Sequence, residues 1–255
     1  MGQITRVLLF NLALFLATGI GTVRADELKT VLPGWSLGPV ISGLDDPLVG
    51  GKTVASIGPL LLYEGERVYL RGGILGVRFW GTQKLELSAI LEGNIEGPPR
   101  KDNDRLKDMS ARDASLGAGL RLQSIHDWGT IVAKIQGDIS DAGGGHRATL
   151  AYYGPMYRGA ITFIPFVGLN YRSSDVVDYY FGVKPSEVTA ERPAYTGRSS
   201  ITSYAGFELT YPLTEQWLLL AGLQSEFYDK PITDSPIVDK DVRTSGLISA
   251  VYRFR

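Results

Sequence analysis

The chain has 255 residues, and its 26 Lys and Arg and 27 Asp and Glu give a formal net charge of −1. Hydrophobic residues make up 44% and charged residues 21%, which excludes a disordered chain, and the absence of Cys excludes a disulfide scaffold. Near-balanced charge gives no electrostatic case for nucleic-acid binding. A mean hydropathy of +0.01 is too low for a bundle of transmembrane helices. A soluble globular protein and an outer-membrane barrel both fit this composition.

The N-terminus has the pattern of a secretory signal peptide. Arg6 precedes an apolar run over residues 7–20, and Ala25 is followed by the acidic residues Asp26 and Glu27. The run is shorter than the roughly 20 apolar residues that a spanning helix needs. We therefore predict that residues 1–25 form a cleaved signal peptide and that residues 26–255 form one exported domain.

The remaining chain alternates apolar and polar residues with a period of two. Ile135, for example, stands between Lys134 and Gln136. This period predicts β-strands that have one apolar and one polar face. The eleven predicted strands cover residues 35–41, 53–62, 67–79, 84–92, 113–125, 131–139, 147–157, 161–171, 205–211, 217–227 and 244–254.

A soluble sandwich, a lipocalin-like soluble barrel and a transmembrane barrel can all show this alternation, and three details favour the transmembrane barrel. Many of the segments approach the 9–11 residues of a tilted transmembrane strand. Aromatic residues, which we assign to the membrane interfaces, end the apolar faces, as in the girdles of such barrels: Tyr171, Tyr211, Trp217, Phe227, Tyr252 and Phe254. Short connections (81–83, 126–128, 158–160, 212–216) also alternate with long ones (93–112, 140–146, 172–200, 229–243).

Outer-membrane barrels usually have an even number of strands, because both chain ends lie in the periplasm. Eleven strands fail this rule. We therefore predict an all-β, antiparallel transmembrane β-barrel of 10 or 12 strands, and we place the error in residues 26–66, where four prolines blur the pattern.

The polar faces predict a charged lumen of both signs. A barrel of this size encloses a small space that side chains can largely fill, so paired charges would plug it; a narrow conducting or ligand pore is the alternative. The predicted lumen-facing residues are Arg71, Arg78, Glu86, Glu92, Arg121, Lys134, Gln136, Asp138, Glu208, Gln224 and Glu226.

The sequence gives little support for catalysis, so we predict no enzymatic activity, metal or cofactor. No spacing pairs His126 or His146 with a nucleophile, and a zinc site is disfavoured by two scattered His and no Cys. Residues 143–145 are three glycines, which predict a hairpin turn with positive φ rather than a phosphate loop. Paired acids such as Asp45 and Asp46, and the mixed-charge loop 100–108, are interpreted as solvated surface.

Several motifs resemble the MipA/OmpV family. Residues 180–183 (YFGV) are followed by Pro185 and then by residues 193–195 (PAY), and Asp229 precedes residues 234–238 (DSPIV). The stretch at residues 141–146 (DAGGGH) and the ending at residues 252–254 (YRF) are similar to that family too. Arg255 departs from the family, because an aromatic residue normally ends the chain.

The resemblance implies a non-enzymatic outer-membrane barrel of Gram-negative bacteria. One member of the family is described as a scaffold that links a lytic murein transglycosylase to a penicillin-binding protein, so these are the partners it implies, beside outer-membrane lipid and lipopolysaccharide. Two alternatives stay open. One is a small-solute pore, and the other is a surface adhesin that acts through loops 93–112, 172–200 and 229–243.

Overall fold

The computed structural model describes residues 33–96, 100–140, 142–155, 157, 159 and 161–254. Within them, twelve consecutive antiparallel strands close into a barrel in which β1 pairs with β12. The transmembrane β-barrel with an even number of strands is thereby confirmed, with 12 rather than 10. The predicted signal peptide, residues 1–25, and Arg255 lie outside the described residues.

The strands run through nearly the whole described chain, and their bounds extend several predicted segments by a few residues. They are β1 Gly34–Leu44, β2 Val54–Glu64, β3 Val68–Arg71, β4 Ile74–Gly81, β5 Leu85–Asn94, β6 Ser115–His126, β7 Gly129–Asp138, β8 His146–Tyr153, β9 Thr162–Arg172, β10 Ser200–Pro212, β11 Trp217–Phe227 and β12 Val242–Arg253. By the convention for such barrels, the end with the short turns is the periplasmic end, and the long connections lie outside.

The predicted strand at residues 67–79 is two strands, β3 and β4, which are joined by a turn at Gly72 and Gly73. The prediction that the error lay in residues 26–66 was therefore wrong. The turn shifts the alternation by one residue, so that Arg71 before it and Ile74 after it both point inward and are buried. Gly72 adopts a φ of 60°, which glycine tolerates without strain.

The long external connections fold into a cap with its own hydrophobic core. Helix α1 (Ser174–Phe181), the short helix α2 (Lys230–Thr233) and two 3-10 turns (Arg100–Asp102 and Pro185–Glu187) lie in these connections. The core of the cap consists of Leu48, Leu106, Met109, Val176, Val177, Tyr180, Phe181, Val183, Tyr228, Ile232 and Ile237. None of the helices in the described residues is long and apolar enough to cross a bilayer.

Because of this cap, two predictions of solvated surface hold only in part. In loop 100–108, Arg100, Asn103 and Leu106 are buried, whereas the other six residues are exposed. Asp46 is also buried, and its carboxylate accepts a hydrogen bond from the Leu48 N–H at 3.1 Å. Burial raises the pKa of Asp46 to about 6.

The outer surface of the barrel wall is apolar, whereas its inner surface carries both apolar and polar side chains. Ile57, Ile135 and Ile201 are each more than half exposed on the outer surface. On the side of β1, β2, β11 and β12, an apolar cluster that includes Leu60, Leu218 and Val251 fills the periplasmic half of the lumen. Buried polar residues lie both below the cap and, on the opposite side, near the periplasmic end.

Aromatic rings inside the lumen pack over glycines of the neighbouring strand. A Cβ atom added to Gly168 would lie 2.4 Å from the ring of Tyr204, its cross-strand partner, and one added to Gly76 would lie 2.0 Å from the ring of Tyr69. Large and small residues therefore alternate across the strands, which accounts for glycines inside strands, where they otherwise weaken a sheet.

The glycine turn between β7 and β8 has the predicted conformation. Gly143, Gly144 and Gly145 have φ values of 88°, 68° and 86°, so the prediction of positive φ is confirmed. Asp138 supports this turn, because its carboxylate accepts hydrogen bonds from the Ser140 N–H at 2.9 Å and the Gly144 N–H at 3.0 Å.

Candidate functional site

Below the cap, five charged residues from different parts of the chain form the cap-side ion cluster. Glu96, which follows β5, enters the lumen, and Arg172 donates two hydrogen bonds to its carboxylate at 2.9 and 3.1 Å. Arg147 donates another at 3.2 Å. Arg243 donates to the Glu96 carbonyl oxygen at 2.9 Å and to the Glu226 carboxylate at 2.7 Å. The cluster joins β8, β9, β11 and β12 to the loop after β5.

The charges of this cluster decide the ionisation of Glu96. Burial by itself raises the pKa of the Glu96 carboxyl. Attraction from Arg172, Arg147 and Arg243 outweighs burial and holds this pKa well below its ordinary value. Glu96 is therefore a carboxylate throughout the physiological pH range.

A second group, the turn-side ion cluster, lies nearer the periplasmic end and consists of Glu64, Arg71, Arg78, Glu86 and Arg121. Arg71 binds the Glu64 carboxylate in a bidentate manner at 2.9 and 3.0 Å. Arg78 bridges Glu64 and Glu86, with a distance of 2.6 Å to Glu86. Arg121 lies 3.7 Å from Glu86. As in the cap-side cluster, three arginines face two carboxylates.

Tyr69 fixes the arginines of the turn-side ion cluster. The Arg71 and Arg78 guanidinium groups lie 4.1 and 4.6 Å from the centre of its ring. The ring is fully buried, so both arginines gain cation–π contacts away from water, where these contacts are strongest.

A cavity of about 140 Å³ lies between the two ion clusters. Lys134, with its Nζ 2.7 and 2.5 Å from the Glu92 carboxylate oxygens, spans part of it. Six cationic and three acidic side chains line the described part of its wall, so its lining has a positive excess: Arg71, Arg121, Lys134, Arg147, Arg172, Arg243, Glu92, Glu96 and Glu226.

The structure places the predicted lumen residues in four settings. Arg71, Arg78, Glu86, Arg121 and Glu226 belong to the ion clusters, while Glu92, Lys134, Gln136 and Gln224 line the cavity. Asp138 stabilises the β7–β8 turn at the end of its strand. Glu208 is buried, and neither of its carboxylate oxygens has a hydrogen-bond partner among the described residues.

The sequence analysis missed five members of the two clusters: Glu64, Glu96, Arg147, Arg172 and Arg243. Arg147 begins a predicted strand but was not assigned to the lumen. Glu64 and Glu96 follow the ends of the predicted strands, and Arg172 and Arg243 lie just beyond predicted strand ends as well. A one-residue extension of the alternating pattern would have reached Arg172 and Arg243. No periodic signal reaches Glu96, because it lies in a loop.

The predicted interface aromatics lie near strand ends. Tyr211, Trp217, Phe227 and Phe254 are exposed, and Tyr171 and Tyr252 are partly exposed. The Tyr252 ring contacts Trp217 and Phe254 at centroid distances of 5.3 and 5.2 Å. All four tryptophans of the chain lie toward the periplasmic end: Trp35, Trp80, Trp128 and Trp217.

The cap contains the YFGV, PAY and DSPIV motifs, which carried part of the resemblance, and these motifs contact segments of one another's loops. Ser235 of the DSPIV motif donates a hydrogen bond to the carbonyl oxygen of Phe181, in the YFGV motif, at 2.6 Å. Tyr195 of the PAY motif donates to the Pro231 carbonyl oxygen at 2.8 Å. Val183 and Tyr195 pair through their backbones. These motifs therefore build the cap.

The Glu187 carboxylate also stabilises the cap. Glu187 accepts hydrogen bonds from the Ser110 and Lys184 N–H groups at 2.9 and 3.1 Å and from the Arg112 guanidinium. Burial raises the pKa of the Glu187 carboxyl, but these hydrogen bonds outweigh burial and lower it to about 2. Loop 93–112 is thereby tied to the loop after α1.

The two histidines lie at opposite ends of the barrel. His126 lies 2.9 Å from the Ser124 hydroxyl and stacks on Trp128 at 4.6 Å, and His146 contacts Tyr171 at 5.7 Å. Within the part of the chain that the structure describes, no group of three or more His, Cys, Asp or Glu is arranged to hold a metal ion.

Comparison with known proteins gives a consistent result. A family model described as "MltA-interacting protein MipA" matches residues 34–254. Outer membrane protein Omp26La of Vibrio anguillarum is 30% identical over 69% of this chain and 70% of its own length. The MltA-interacting protein of Escherichia coli K12 is 24% identical over 98% of this chain and all of its own. Among solved structures, the CymD monoaromatic hydrocarbon channel is 12% identical, covers 91% of this chain and 92% of its own, and has a TM-score of 0.42.

Proposed function

The chain belongs to the family of the MltA-interacting protein MipA, and we propose that it is a non-enzymatic outer-membrane scaffold. In this proposal it holds a lytic murein transglycosylase, and through it a penicillin-binding protein, at the periplasmic face of the outer membrane. The observation that carries the proposal is the match to the MltA-interacting protein of Escherichia coli K12 along the full length of that relative. Residues 1–25 are proposed as the signal peptide that is removed on export.

The interior of the barrel supports a role as an anchor. Two ion clusters cross-link the strands inside the lumen, apolar side chains fill part of its periplasmic half, and the cap covers its outer end. The cavity that remains between the two clusters is small, about 140 Å³. The steady pore of the alternative hypothesis needs a continuous water-filled path, which this packing opposes.

The partner's binding surface is the periplasmic rim. It consists of the short turns, and Asp127 and Trp128 are exposed in one of them. Stable protein interfaces bury about 1,600 Å² in total, so we propose that several turns and the N-terminal segment before β1 bind together.

Single engineered cysteines test this proposal, because the natural chain has no Cys. A photoactivatable crosslinker on Asp127→Cys, at the periplasmic rim, is expected to capture the transglycosylase in outer membranes. The same crosslinker on Asp104→Cys is the matched control, because Asp104 is an exposed acid of the cap. Failure of capture at every periplasmic turn of the folded barrel, or equal capture at Asp104→Cys, contradicts the proposal.

We also propose that the cap contacts lipopolysaccharide through exposed cations such as Lys101 and Lys107. The loops that the adhesin hypothesis invokes are packed together in this cap. Replacing both lysines by Gln should weaken retention on immobilised lipopolysaccharide, whereas unchanged retention contradicts this contact.

A further inference from the structure

At the outer end of the barrel, the connection between β1 and β2 is held against the loop that precedes β12. Residues 45–53 form this connection, here named the β1–β2 strap. Leu48 of the strap forms a backbone bridge with Val238, and the Val49 N–H donates to the Ile237 carbonyl oxygen at 2.9 Å. Leu48 and Ile237 are both buried in the core of the cap, so the strap packs against this core.

Further hydrogen bonds tie the strap to two different loops. The Pro47 carbonyl oxygen accepts from the Asp239 N–H at 2.8 Å and from the Lys240 N–H at 3.2 Å, both in the loop before β12. The Asn103 side chain, in the loop after β5, donates to the Val49 carbonyl oxygen at 3.0 Å. Opening of the strap would therefore break contacts with both loops at once.

The carboxylate of Asp46 lies inside the closed strap. Asp46 is 2% exposed, and its carboxylate accepts a hydrogen bond from the Leu48 N–H. A Cβ atom added to Gly51 would lie 2.6 Å from the Asp46 Cγ atom, so the returning half of the strap packs directly on the carboxyl group. Opening of the strap would return this group to water.

The charged groups around Asp46 come from the strap, the loop before β12 and β12 itself. The Lys240 ammonium group binds Asp45, the neighbour of Asp46, at 2.7 Å. Arg243 of β12 binds Glu226 in the cap-side ion cluster. Both nearby cations therefore have another carboxylate partner. The other charged residues of the strap and of residues 238–241 are exposed, as is the arginine of the loop after β5 that lies against Gly50: Lys52, Asp239, Asp241 and Arg105.

These surroundings favour the neutral form of the Asp46 carboxyl. Burial raises its pKa, and repulsion from Asp45 raises it further. The Leu48 N–H, Lys240 and Arg243 lower it without cancelling burial, so the pKa is about 6 instead of the ordinary 3.8. The closed strap therefore binds a proton more tightly than an open strap, in which the carboxyl would be hydrated. Closure is favoured as the pH falls through about 6 and disfavoured above it.

We propose that the β1–β2 strap is a pH-sensitive switch of the cap, in which protonation of Asp46 tightens the strap against the loop before β12 and ionisation loosens it. Because the strap lies at the outer end of the barrel, the switch responds to the medium outside the cell and not to the periplasm. Loosening exposes the part of the cap core that Leu48 contributes. This inference does not depend on the scaffold proposal.

Hydrogen exchange of the full chain, folded in an uncharged detergent, tests the switch. Protection factors in the strap, corrected for intrinsic amide exchange, should fall about tenfold from pH 5 to pH 8, as follows from a pKa of about 6 in the closed strap and 3.8 in the open one. Asp46→Asn keeps an acceptor for the Leu48 N–H but cannot ionise, so it should retain at pH 8 the protection that it has at pH 5. Asp239→Asn is the matched control, because Asp239 is an exposed acid of the same junction, and it should respond to pH as the natural chain does.

Two results of this experiment would overturn the proposal. One is strap protection in the natural chain that does not change between pH 5 and pH 8, and the other is an unaltered pH dependence in folded Asp46→Asn. Heat-modifiable migration identifies variants that have folded. Carbon NMR of the natural chain, labelled at the aspartate carboxyl carbons, gives a test without any substitution. One aspartate should titrate near pH 6, and a spectrum in which no aspartate titrates above about pH 5 overturns the proposal as well.

Discussion

Glu96 is the carboxylate on which three arginines of the cap-side ion cluster converge. Removing one partner of a buried ion pair leaves the others uncompensated, which costs about 3–5 kcal/mol. We therefore expect Glu96→Gln to lower the free energy of unfolding by about that amount, as measured by urea unfolding of the folded barrel. Asp104→Asn, which removes an exposed acid paired with Lys107, should change it by less than about 1 kcal/mol. Equal effects of the two substitutions would show that the cluster adds no stability.

Glu187 gives the cap a defined pH dependence. Its pKa in the folded cap is about 2, below the ordinary value of 4.5. A lowered pKa means that the carboxylate stabilises the folded cap fully above pH 4.5, and that this contribution is lost as the pH falls from 4.5 toward 2. Protection factors in loop 93–112, which are corrected for the pH dependence of intrinsic amide exchange, should therefore fall over this range in the natural chain. In Glu187→Gln the protection should be low already at pH 7 and should lack this pH-dependent component; an unchanged profile would contradict the role of Glu187.

At the level of strands, the packing of aromatic rings over glycines of the neighbouring strand leads to a testable prediction. Gly168→Ala would place a Cβ atom 2.4 Å from the Tyr204 ring, and that ring is packed against Phe166 at 6.1 Å. We expect a loss of about 1–3 kcal/mol in the free energy of unfolding, the usual cost of overpacking. Gly137→Ala is the control, because nothing lies within 4 Å of the added Cβ, and it should cause no loss. Equal stability of the two variants in urea would refute the packing argument.

The hairpin at β3 and β4 shows what the sequence could predict. Alternation predicts which residues share a face of a strand, because a period of two assigns faces directly. Arg71 and Arg78 were both assigned to the polar face of one strand, although they are seven residues apart and would lie on opposite faces. That conflict, together with the consecutive glycines Gly72 and Gly73, indicated a turn within the predicted strand. Checking that all inward residues of a segment share one face would have divided this segment in two and given twelve strands.

The cap could be predicted only in part. Val176, Val177, Tyr180 and Phe181 have the spacing of an amphipathic helix, which was a local signal for α1. Their partners come from other connections, such as Leu48 before β2, Leu106 after β5 and Ile237 before β12. Contacts between segments so far apart in the chain depend on barrel closure, so no local pattern reveals them. The position of Glu96 in the lumen could not be predicted for the same reason, because its contacts also depend on barrel closure.

For the whole molecule, the ion clusters, the apolar packing and the cap act together. Each of them fills or covers a different level of the lumen, from the cap core through the cavity to the periplasmic apolar clusters. We therefore propose that the functional surface of the barrel is its periplasmic rim. In this respect the protein differs from a barrel that acts through its lumen.

Conductance of the refolded chain in a planar lipid bilayer tests this central claim most directly. Insertion is verified independently by heat-modifiable migration and by protection of the barrel from protease in the same membranes. The account predicts no steady conductance above that of the lipid in the presence of inserted protein, because the lumen is filled and capped. A stable ohmic conductance that scales with the number of inserted barrels would contradict it.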